Sequence, residues 1–178
     1  MPRVVHKLPF FDKATPLAVA GERVVIKPDQ IVVWVSLGEA ALPFLHANAL
    51  RIPAVLDTGL SHNFAIREEH LLAWAGLHPQ SLPVLGHLRL SGLPANLLGG
   101  HVWVYRNKPR ERDMLLEVPP FRLELDAGIA VYPGGTVNAP RLPVLGLRGL
   151  RRAGLHLAVD CDRCLVYLRT PRRFWFFG

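Results

Sequence analysis

Ile52-Pro53-Ala54-Val55-Leu56-Asp57-Thr58-Gly59-Leu60-Ser61-His62-Asn63-Phe64 is the stretch on which the fold turns. Three apolar residues, Ala54, Val55 and Leu56, run straight into the carboxylate of Asp57, and the run breaks at Gly59. That is the pattern of a buried strand ending in a tight turn with an acid at the turn. A carboxylate this close to a core is costly unless it is hydrogen-bonded or shares a proton. Thr58 and Ser61 bring hydroxyls beside it, and Gly59 lets the backbone come close enough to donate an amide. The same residues also suit an ordinary turn in which Asp and Gly serve only the chain reversal. The rest of the chain has to separate the two readings.

Working outward, residues 31–37 form a strand rich in β-branched residues, turned by Gly38 and Glu39. Residues 23–26 suit a shorter strand, followed by a turn at Lys27-Pro28-Asp29. Residues 40–50 read as a loop, so a strand and a connection precede the Asp57 strand. Beyond the motif, residues 66–74 suit a short helix with Glu68 and Glu69 in its first turn and Gly76 as its stop. Residues 82–105 suit one or two hairpins, and 121–125 alternate as a half-buried strand. Leu142-Pro143-Val144-Leu145-Gly146 is an apolar run closed by glycine, then comes a basic segment over 147–154, then strands over 155–160 and 165–168. With 16 Pro and 15 Gly among 178 residues, short strands are favoured over long helices, and the length suits one domain.

The thirteen residues around Asp57-Thr58-Gly59 resemble the active-site turn of single-domain, retropepsin-like aspartic proteases. The order that follows is similar to the closing half of that family: Val144-Leu145-Gly146 threading past the Asp turn, a short helix, a final hairpin. The resemblance covers residues 31–170, leaving 1–30 as an N-terminal extension and 171–178 as an aromatic C-terminal tail. It implies a mainly β, closed-barrel acid-protease fold with one short C-terminal helix. It also implies a glycine-bearing flap around 90–101. Leu60 departs from the family, where a small or hydroxylated residue is common, and so does Leu147-Arg148-Gly149, where a polar or acidic residue often begins the helix.

The implied activity is peptide-bond hydrolysis. One Asp57 per chain is half a site, because the reaction needs two carboxylates that share one proton. A homodimer with Asp57 at its two-fold axis supplies both. One ionised Asp57 takes a proton from water while the other, protonated, polarises the scissile carbonyl. The resemblance gives Thr58 hydrogen bonds across the axis and gives the Gly59 amide to the carboxylate. Such a pair titrates as a unit and favours mildly acidic pH. Leu60, Ser61, Val144, Leu145 and Gly146 stand around the site on the substrate side or behind it. No cofactor and no metal is required, and the partners are a second copy and a peptide or protein substrate. The alternative is a catalytically impaired dimerisation or peptide-binding module of the same fold, which Leu60 favours.

Other readings carry less. The net charge of +7 suits acidic partners, but the Arg residues scatter into small groups at 106–112, 148–152 and 169–173. No basic helix or aromatic-interleaved patch appears, so nucleic acid is not expected. No leader-like apolar run follows the early Arg3 and Lys7, and no stretch is long enough to span a membrane. With only two cysteines, these point to the cytoplasm. Cys161-Asp162-Arg163-Cys164 lacks a second cysteine pair and reads as a turn with reduced thiols. Asp126-Ala127-Gly128 mimics a second catalytic Asp, yet it lacks a hydroxyl after the acid and reads as a hairpin turn. His62 reads as hydrogen-bonded or surface, and the eight His residues form no metal-binding helix motif.

Overall fold

A computed structural model describes residues 3–171 of the chain. The aromatic tail anticipated at 171–178 therefore lies outside them except for Pro171. The strands are β1 (Arg3–Pro9), β2 (Thr15–Val19), β3 (Glu22–Ile26), β4 (Ile31–Glu39), β5 (Ile52–Asp57), β6 (Phe64–Arg67), β7 (Val84–Leu90), β8 (Leu93–Leu98), β9 (Gly100–Val104), β10 (Phe121–Leu123), β11 (Ile129–Tyr132), β12 (Val144–Gly146), β13 (His156–Asp160) and β14 (Leu165–Arg169). Two six-residue helices interrupt them, α1 (Glu68–Ala73) and α2 (Leu147–Arg152). The molecule is mainly β, 45% strand and 9% helix.

The strands do not close into a barrel. A nine-stranded sheet runs in the order β10-β9-β4-β5-β12-β6-β11-β8-β7, and β10 and β7 are its open edges. Edge strand β10 is only three residues long and begins after Pro119 and Pro120, which have no amide to extend a ladder. The chain ends pair elsewhere: β1 and β13 flank β14 in a separate three-stranded sheet, and β2 pairs with β3. The helix expected over residues 66–74 is α1, and the short C-terminal helix is α2. Glu68 and Glu69 favour the N-terminal end of α1, and Gly76 closes it in the left-handed region at φ +68°. Arg151 and Arg152 lie in the last turn of α2.

Central strand β4 is buried along most of its length because β5 and β9 flank it and side chains cover both faces. Phe64, Ile66, Leu71, Trp74, Leu145 and Val166 share one apolar cluster. Val4, Val5, Leu8, Val19 and Ile26 belong to it too, so the segment before residue 31 packs into the body. A second cluster (Ala65, Leu90, Ala95, Ala130, Tyr132 and Ala139) lies beneath the β7–β8 hairpin. That hairpin turns at Ser91 and Gly92, both at positive φ, the primed turn that matches strand twist. It spans 84–98, so the hairpin expected near 90–101 begins earlier and ends before β9. Among the described residues no helix is long and apolar enough to cross a membrane.

Phe64 is completely buried in β6. Phe64→Ala should cost about 3–5 kcal/mol of stability through lost burial and the cavity left behind. Urea unfolding should show the midpoint falling at an unchanged slope.

Candidate active site

Asp57 is the last residue of β5, a strand held antiparallel to β4 and parallel to β12. Val55, Leu56 and Asp57 stand opposite Val144, Leu145 and Gly146. The chain leaves β5 through the loop 58–63 and returns as β6 on the far side of β12, so β12 runs between the two halves of the motif. The Val55 amide donates to the Pro143 carbonyl at 2.8 Å and the Gly146 amide to the Asn63 carbonyl at 3.0 Å. The loop lies tightly over β12 here. A Cβ at Gly146 would collide with the His62 carbonyl, and one at Gly149 would come within 2.9 Å of the Asn63 carbonyl oxygen. Glycine is needed at both positions for this close approach, not for an unusual φ.

The result is an exposed carboxylate on a rigid mount. The Gly59 amide donates to Asp57 Oδ1 at 2.7 Å. Among the described residues the Asp57 carboxylate makes no other hydrogen bond and no ion pair. It opens into a cleft of about 720 Å³ whose floor includes Val55, Leu142 and Val144 and whose wall includes Lys27, Gln30 and Arg141. Thr58 and Gly59 are exposed beside it.

The other residues singled out from the sequence are placed differently. Ser61 is exposed and Leu60 half-buried, and both line a second groove of about 830 Å³ along α2 and β13. Neither Thr58 nor Ser61 hydrogen-bonds Asp57 through its hydroxyl among the described residues. Leu60 packs over Gly146 and against the cluster beneath the β7–β8 hairpin. Leu145 is fully buried, a core residue behind the site. His62, within the loop, is also buried. Cys161 and Cys164 are free thiols in the turn between β13 and β14.

Asp126 has a role that the sequence reading did not assign. It follows β10, but β10 pairs with β9 whereas β11 pairs with β6 and β8, so its turn is a crossover and no hairpin. Its Oδ1 accepts from Asn63 Nδ2 at 2.9 Å, and its Oδ2 meets Arg148 at 3.1 Å and Arg152 at 2.9 Å. These partners, the Asn63 amide first, hold its carboxyl down to about 2. One acid thus ties the 58–63 loop to α2. Arg67 works in the same way on the other side. Its guanidinium donates to the Pro140 carbonyl at 3.0 Å and to the Ala139 carbonyl at 2.6 Å, which fixes the loop that carries Arg141. Local sequence gave no signal for Arg67, whose carbonyl partners lie far along the chain, or for the placing of Lys27 and Arg141 in one cleft.

Two histidines add a pH dependence. Burial lowers the pKa of His62, assisted by Arg148, while the backbone at Ala127 and Gly128 and the Asp126 charge oppose this more weakly. Burial likewise lowers His70, whose ring stacks on Trp74 with centroids 3.7 Å apart.

Compared with known protein families, characterised proteins and solved structures, the chain finds no match.

Two outcomes follow from this geometry. Gly146→Ala should destabilise the fold by at least about 1–3 kcal/mol, since the new methyl must push the 60–63 loop away, and thermal unfolding would read this as a lower Tm. Stability should also fall in acid. The unfolded chain binds protons at His62 and His70 below their ordinary pKa of 6.5 before the folded chain does, so their contribution is complete above that pH and declines below it. The contribution of Asp126 is complete above its ordinary 3.8 and is lost as pH falls through about 2. Tm measured from neutral to acid should decline first below about pH 6.5 and again below about pH 4. Asp126→Asn should lower Tm at neutral pH and flatten the second decline.

Proposed function

We propose that the protein is an aspartic endopeptidase that acts as a homodimer, with Asp57 of each copy forming the reactive pair. One observation carries the reading. Asp57 stands exposed at the end of a buried strand, one oxygen held by the Gly59 amide and the carboxylate facing a cleft of peptide dimensions. A carboxylate serving only the turn has no need of that cleft.

The second carboxyl has to come from a second copy. Asp126 is unsuitable as a partner within the chain, because two arginines and Asn63 occupy it and keep it ionised down to about pH 2. A reactive pair needs one member that holds a proton near neutrality. Two Asp57 carboxyls brought together share one, because two like charges so close cannot both ionise. The ionised Asp57 removes a proton from water, and the oxygen of that water bonds to the scissile carbonyl carbon. The protonated Asp57 gives its proton to the carbonyl oxygen. In the second step the Asp57 now ionised takes a proton from one hydroxyl of the gem-diol, the carbonyl re-forms, the C–N bond breaks and the leaving nitrogen takes the proton of the other Asp57. The Gly59 amide keeps the carboxylate oriented throughout, and the β12 threading keeps the turn from moving.

The alternative is a non-catalytic peptide-binding module of the same architecture, for which Leu60 speaks in the sequence. Its side chain packs over Gly146 and lines the other groove, so the catalytic reading is preferred.

The test is cleavage of a mixed peptide library between about pH 4 and 7, a range in which a shared-proton pair is active. Wild type and Asp57→Asn are run side by side and both are sized in solution. Wild-type dimers should cleave, and Asp57→Asn should lose at least about a thousandfold in kcat/KM at unchanged Tm. A folded wild-type dimer that cuts nothing would sink the proposal, as would equal cleavage by the variant.

A further inference from the structure

The Asp57 cleft carries more positive charge than its one carboxylate can use. Lys27 and Arg141 both line it, and among the described residues neither side chain enters an ion pair or a hydrogen bond. Neither cation lies within salt-bridge reach of Asp57.

Both cations are also held in place by their backbones. Lys27 sits in a turn clipped by Gln30, whose side-chain oxygen accepts the Lys27 amide at 2.8 Å. The next residue but one, Asp29, is at φ +60° with its amide on the Phe11 carbonyl at 2.8 Å. Arg141 follows the two carbonyls that Arg67 grips, and Asn138 enters that loop at φ +67°. Both turns are therefore fixed as the mounts of these two exposed side chains. Between them lies the apolar floor of Val55, Leu142 and Val144.

We infer that this cleft selects peptides carrying a carboxylate next to the residue seated on the apolar floor, with Lys27 and Arg141 as the groups that recognise it. The inference rests on the reading of the cleft as a peptide site. The carboxylate comes from an acidic side chain or from a chain terminus. Glutamate beside that residue fits the arrangement: its methylenes can cover the edge of the apolar floor while its head reaches Lys27 and Arg141. A lysine in the same place meets two like charges and is disfavoured. Each exposed pair is worth little alone, about two- to fivefold in affinity, and is screened by salt.

The experiment measures binding, so that it does not depend on cleavage. Fluorescent peptides with apolar flanks and one central Glu, Gln or Lys, each with a free or an amidated C terminus, are titrated onto the full-length Asp57→Asn chain. Glu should bind more tightly than Gln, and Gln more tightly than Lys. The order should vanish when Lys27→Gln and Arg141→Gln are combined, and it should shrink between about 0.1 M and 1 M salt. A preference that survives amidation assigns the carboxylate to the side chain, and one that depends on the free terminus assigns it to the chain end; either supports the inference. Arg163→Gln, in the exposed turn between β13 and β14, controls for net charge and should leave the order intact. Equal affinity for all peptides overturns the inference, as does an effect of Arg163→Gln equal to that of Arg141→Gln. A Glu preference with no wild-type cleavage would keep the cleft assignment and sink the peptidase proposal. Cleavage indifferent to peptide charge would do the reverse.

Discussion

The passage of β12 between β5 and β6 is the constraint on which the remaining structure depends. It joins two segments far apart in the chain, the acid-bearing turn and the Val144-Leu145-Gly146 strand, in one hydrogen-bonded layer. Because the 58–63 loop must cross that strand at backbone distance, side chains are excluded at Gly146 and Gly149. The position of Asp57 is then set by sheet register and not by the turn alone. A turn fixed only by its own residues would let the carboxylate drift, whereas Asp57 sits opposite Gly146 and has little freedom to move. The contacts that achieve this span most of the chain, a topology that folds slowly because long loops must close before they are rewarded.

Beneath that loop lies a polar layer with its own pH limits. Asn63, Asp126, Arg148 and Arg152 form one network that holds the loop to α2. His62 is buried next to it, and burial lowers its pKa. A shared-proton carboxylate pair gains from mild acid, while the buried histidines make the same acid costly to the fold. Under the proposed peptidase reading, the working range is bounded above by the chemistry and below by the scaffold. The network also explains why Asp126, although followed by a glycine turn, is structural: both of its oxygens already have partners.

The cleft in front of Asp57 is assembled from the β3–β4 turn, strands β5 and β12, and the loop before β12. No single stretch contains its charge pattern. Arg67, which fixes the last of these segments, lies in β6 on the far side of β12 from Asp57. Position and chemistry are therefore supplied by different residues: Asp57 would act, Gly59 holds it, and Arg67 and Gln30 keep the rim in shape.

Local sequence determined a good deal. Apolar runs and glycine breaks placed β4, β5, β12, β13 and β14, because a strand's burial pattern and its turn residues are written in neighbouring positions. Gly76 marked the end of α1 for the same reason, since only a residue content at positive φ closes a helix that way. Asp57 stood out because an acid after three apolar residues needs an explanation wherever the chain goes. Pairing was another matter. Whether the sheet closes or stays open depends on which edges meet: β10 differs from paired strands in its length and preceding prolines, whereas seven-residue β7 is as long as they are. The crossover nature of the Asp126 turn, the separation of Leu60 and Ser61 from the Asp57 cleft, and the meeting of Lys27 with Arg141 were likewise decided only by the tertiary structure. Each is a relation between residues distant in the chain, fixed by hydrogen bonds and packing that no local pattern encodes.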